Sequence, residues 1–248
     1  MLVLLAAGSI AAVTNATHSW GGYHWARKAN PFTLKLGDNV SSAWDSYLAK
    51  SSTDWSQSSV LDTTIVAGGT TAWRCRPTNG RVEVCNYNYG NTGWLGVAQI
   101  WIRGNHITKG TAKMNDTYFS LASYDTPAWR NLVMCQEIAH TFGLDHQDED
   151  FNNTNLGTCM DYTADPDGPP SNEHPNAHDY AELETIYSHL DTINTFSQKV
   201  AYLGNLDDAD DVAEFGESLR KDRKGKTSLY VRDLDKGEKV LTFVLWIE

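Results

Sequence analysis

Gln136, Glu137, His140, Gly143 and His146 have the residue types and the spacing to hold a metal ion and to act on water beside it. On a helix, residues at i and i+4 share one face, so Gln136 and His140 point at the same spot. Glu137 is rotated by one position and can reach a water at that metal as a general base. Gly143 can take the left-handed backbone that ends the helix and swings His146 back toward the pair. Imidazole nitrogen is a preferred zinc donor. A carboxamide oxygen is a rarer and weaker one, but glutamine is neutral, as histidine is, and of similar reach.

The run from Gln136 to His146 resembles the zinc-peptidase pattern HExxHxxGxxH, with glutamine in place of the first histidine. Downstream, Cys159-Met160-Asp161-Tyr162 resembles the methionine turn that underlies such sites. Together these motifs resemble the metzincin clan of secreted zinc endopeptidases, and the tyrosine two residues after the methionine is closest to the astacin and serralysin pattern. The resemblance implies Zn2+ held by His140 and His146, with Gln136 as a weak ligand and Tyr162 as a further one. It implies Glu137 as general base, Tyr162 helping to stabilise the oxyanion, Met160 as the apolar floor, and a protein or peptide substrate. The alternative is a catalytically inactive pseudopeptidase, a secreted binding or structural module on the same fold. His174 and His178, just before the last helix, are candidates to replace the missing ligand. His18 and His24 lie in an aromatic segment that could fold over the cleft. Asp148, Glu149, Asp150, Asp165 and Asp167 match no calcium loop in their spacing.

The elements that must position these residues are marked by local signals. Phe32 to Leu36 alternates as a strand, and Asp38 is the expected cap of a helix carrying Val40, Ala43, Trp44, Tyr47 and Leu48. Val60 to Ala67 is the next strand. Residues 94–103 form another, turning at Gly104-Asn105 into a partner near 106–114. Thr126 and Pro127 open the motif helix as cap and first position, and Gly143 ends it. A polar loop over 147–176 precedes a helix capped by Asn176, with the stripe Tyr180, Leu183, Ile186, Tyr187 and Leu190. The resemblance implies an α+β fold: a metzincin-like mixed β-sheet with a backing helix, an active-site helix, a methionine turn and a C-terminal helix. A small C-terminal β-hairpin appendage follows, from Ser228 to Asp233 and Lys239 to Trp246.

Organisation and composition agree with export. Residues 1–18 carry an apolar, signal-peptide-like run, Leu2 to Val13, too short to span a bilayer. Residues 19–198 form the expected peptidase-like domain, and 199–248 an acidic linker (Asp207 to Asp211) with the hairpin tail. The net charge of −11 argues against nucleic acid as a partner. No other run is apolar enough to cross a membrane, and nothing fixes an oligomeric state. Four cysteines suggest two disulfides with three possible pairings. Cys75 and Cys85 flank the turn signal Pro77-Thr78-Asn79-Gly80, where a bridged hairpin is natural. That leaves Cys135 with Cys159, a bridge that would tie the motif helix to the methionine segment and contribute about 3 kcal/mol in the chain-entropy model.

Overall fold

A computed structural model describes residues 18–196 and 214–248 of the chain. The leader-like run and the acidic run Asp207 to Asp211 lie outside these described residues. Nine strands form one mixed sheet: β1 His24–Trp25, β2 Phe32–Asn39, β3 Leu61–Ala67, β4 Val82–Tyr87, β5 Trp94–Arg103, β6 His106–Asn115, β7 Glu217–Lys221, β8 Thr227–Asp233 and β9 Glu238–Trp246. Four α-helices accompany them among the described residues: α1 Asp45–Trp55, α2 Asp116–Phe119, α3 Pro127–His140 and α4 Ala177–Ile186. The coarse expectation of an α+β fold on a mixed sheet is met.

The sheet runs β3-β2-β4-β6-β5-β9-β8-β7, with β1 added alongside β6. The half from β3 to β6 is parallel, and the half from β5 to β7 is antiparallel. β2 shows the alternation of a strand with one buried face: Phe32, Leu34 and Leu36 are buried while Thr33 and Lys35 are exposed. β5 is buried at every position but its last, which suits a central strand. α3 packs on β5 and β6 and against α1, and the Trp55 indole N–H donates to the Cys135 carbonyl at 3.2 Å.

Three local expectations are corrected. Asp38 does not cap a helix, because β2 continues through Asn39, pairing Asp38 with Ala67 and Asn39 with Cys85. Ladders on both sides outweigh one local cap, so α1 starts only at Asp45. Cys75 and Cys85 are bridged, but not across a hairpin: Cys85 lies in β4, parallel to both of its neighbours. The last helix ends at Ile186, and Leu190 is exposed.

The tail is the largest departure. β8 and β9 do form a hairpin around Asp235–Gly237, yet β9 pairs along β5 from Trp94↔Trp246 to Arg103↔Glu238. It is therefore no appendage. β5 would otherwise present a long apolar edge of unpaired backbone groups, and β9 covers it. Val240 to Leu245 are buried in the process. No helix among the described residues is long and apolar enough to cross a membrane.

Candidate functional site

α3 begins where local chemistry puts it. The Thr126 hydroxyl accepts from Trp129 N at 3.2 Å, and Pro127 takes the first helical turn. The helix is then buried on nearly every face, from Ala128 to His140 except Arg130. Beyond it Gly143 has φ +100°, and a Cβ there would collide with the Tyr23 carbonyl oxygen, so glycine is required. This turn brings His146 back to His140 with Nε2 to Nε2 at 2.9 Å. His140 Nδ1–H donates to the Leu144 carbonyl and His146 Nδ1–H to Glu149 Oε1, each at 2.8 Å.

Those two bonds commit the Nδ1 protons, so in the neutral rings both Nε2 atoms carry lone pairs aimed at each other. Burial, followed by the neighbouring His146, lowers the His140 pKa well below its ordinary value, which disfavours a proton as the bridge. Gln136 and Glu137 are fully buried beside the pair in sequence. Gln136 Nε2 donates to the Cys159 carbonyl at 2.8 Å, leaving Oε1 without a hydrogen-bond partner among the described residues. Both Glu137 oxygens are equally unpartnered, and burial pushes this carboxyl well above the usual range. An unsatisfied buried polar atom costs roughly 1–3 kcal/mol, so these orphans call for a ligand. Two imidazole lone pairs with one amide oxygen as neutral donors fit zinc.

Glu137 lies against β5 at Gly96, where a Cβ would collide with Oε1 and with Val133. The sequence signal was present, since a glycine inside an apolar strand marks a close approach. The Cys135–Cys159 disulfide joins α3 to the segment carrying Met160, which is fully buried in the main core. The Met160 carbonyl accepts from Gln147 N at 2.6 Å, tying that segment to the loop after His146. Tyr162 packs its ring 4.5 Å from that of His146, while its hydroxyl donates to the Val244 carbonyl in β9 at 3.5 Å. Burial raises the Tyr162 pKa well above normal, so the hydroxyl keeps its proton.

β7 and β9 close the site. Phe243 lies flat on His140, ring centroids 4.0 Å apart and planes within 1°. Arg220 forks onto both Asp145 oxygens and meets Glu149 Oε1 at 2.9 Å. Burial pushes the Glu149 carboxyl up, but the His146 hydrogen bond and the His146 and Arg220 charges outweigh it and hold it at about 2. Nothing in the sequence singled out Phe243, Val244 or Arg220, because their roles depend on strand order.

The remaining candidates lie elsewhere. His174 Nδ1 bonds Asp54 at 2.7 Å, and His178 stacks on His18, whose Nε2 meets Asp179 at 3.1 Å. None of these replaces Gln136. Asp150 is held by Arg223 at 2.6 Å, and the Asp165 backbone carbonyl accepts from Gly168 N and Asn155 Nδ2 in its own loop. No protein-family model matches this chain, and no curated protein matches it in sequence.

Proposed function

We propose that the chain is a secreted zinc-dependent endopeptidase of metzincin type, with Glu137 as general base. The observation that carries this reading is the His140–His146 pair, whose lone pairs meet at 2.9 Å in a buried site while both Nδ1 atoms are anchored. His140, His146 and the Gln136 amide oxygen would hold zinc, with Tyr162 within reach as a further ligand. Zinc held there would act as a Lewis acid at a peptide carbonyl and would lower the pKa of water. Glu137, made more basic by burial, takes the water proton on a carboxylate oxygen and passes it to the leaving amine nitrogen. Tyr162 Oη, once free of Val244, donates a hydrogen bond to the developing oxyanion. Met160 supplies the apolar floor.

A second reading is favoured by one observation, the cover laid by β9. Phe243 on His140, and the β5 edge already paired, close the approach to the pair. A pseudopeptidase would keep this closed form as its working state, whereas a peptidase must move β9.

Zinc per chain by elemental mass spectrometry, compared between the wild type and His140→Ala/His146→Ala, measures metal at the pair. The peptidase reading expects about one zinc lost in the double variant. It also expects cleavage of a fluorogenic protein substrate that chelation and Glu137→Gln both abolish. Zinc at the pair without cleavage, in wild type and in Phe243→Ala alike, leaves the pseudopeptidase. Equal zinc in both chains sinks the metal site itself.

A further inference from the structure

We infer that His24, His189 and Asp191, with His106 beside them, form a second transition-metal site that shares no residue with the His140–His146 site. Its donors come from β1, from the start of β6 and from the segment after α4. The parallel pairing of β1 with β6 sets His24 opposite His106, ring centroids 5.0 Å apart. His24 Nε2 and His189 Nε2 face each other at 3.1 Å. Asp191 completes the group: Oδ2 is 3.5 Å from His24 Nε2, and Oδ1 is 3.1 Å from His106 Nε2 and 3.8 Å from His189 Nε2. Zinc–nitrogen bonds near 2.0–2.1 Å in a tetrahedron place donor atoms about 3.3 Å apart, within this range.

The outer contacts are those of a held ligand set. His24 Nδ1–H donates to the Gly22 carbonyl at 2.8 Å, so its Nε2 is the free donor in the neutral ring. Arg27 holds Asp191 Oδ2 through its backbone N–H at 3.1 Å and its guanidinium at 3.0 Å, which turns Oδ1 toward His106 and His189. Arg27 also donates to the His189 carbonyl, fixing the backbone that presents that ring. The guanidinium offsets the carboxylate charge, so affinity rests on imidazole. That selects zinc, copper or nickel over calcium or magnesium. His189 is 53% exposed at its side chain and His106 31%, which leaves an entry path for the ion. Bound metal would tie the N-terminal strand and the post-α4 segment to the sheet.

The full chain carrying His140→Ala/His146→Ala isolates this cluster from the buried pair. Titrated with zinc chloride near neutral pH, it should bind about one zinc, and its Tm should rise with zinc but not with magnesium. Adding His189→Gln, at a half-exposed position, should weaken binding by about tenfold or more and abolish the Tm rise. Zinc binding unchanged by His189→Gln, or none in the double variant, would mean a hydrogen-bonded cluster only and overturn the inference. If the double variant does not fold, the same comparison runs between wild type and His189→Gln, where a loss of about one zinc per chain supports the site and an equal count refutes it.

Discussion

Two histidine clusters share a donor geometry and differ in what surrounds it. His140 and His146 face each other at 2.9 Å, and His24 and His189 at 3.1 Å. The first pair is buried under Phe243 with both Nδ1 atoms anchored, close in sequence to an orphaned carboxylate and an orphaned amide oxygen. The second is open to water on one side, and its carboxylate is already neutralised by Arg27. Converging imidazoles make a place for a cation. Reactive chemistry further needs an unsatisfied base in a dry setting, and only the first cluster has one.

The sharpest way to break this contrast is Glu137→Gln. It should cut the proposed zinc-dependent cleavage by about 10²- to 10⁴-fold while zinc content holds, measured by initial rates beside elemental analysis. Equal rates would remove the chemical distinction between the clusters. Phe243→Ala should destabilise the fold by about 3–5 kcal/mol in urea titrations, and should speed zinc uptake at the buried pair in stopped-flow mixing. Uptake at the wild-type rate would show that β9 does not gate the pair. Replacing Cys135 and Cys159 by serine should cost about 3 kcal/mol, read from the shift in urea midpoint. The smallest effect belongs to His189→Gln, which in zinc-free buffer should change stability by no more than about 0.5 kcal/mol. A larger loss would make that cluster part of the hydrogen-bonded core and not an independent metal site.

Much of the first cluster was legible from short-range chemistry. Thr126-Pro127 starts α3, Gly143 turns the chain just after its end at His140, and helical spacing puts Gln136 and His140 on one face; none of this needs a distant partner. The Asn176 cap of α4 was legible for the same reason, whereas the Cys135–Cys159 pairing was legible by elimination, once Cys75 and Cys85 were taken as partners. The Asp38 cap failed because two flanking strands offered that backbone more hydrogen bonds than a helix turn could. The second cluster was hidden, since His24, His106 and the close pair His189 and Asp191 lie far from one another in the chain and form no spaced motif.

The sequence by itself determined the chemistry available: two imidazoles, a carboxylate and a glutamine around one glycine turn, on a helix with its own start and stop signals. Only the tertiary structure decided who may reach them. β9 pairs with β5 because a long apolar strand cannot leave its edge bare, and that pairing lays Phe243 on His140. Strand order is a global choice among backbone edges, set by which faces and edges can be buried together, and no local pattern encodes it.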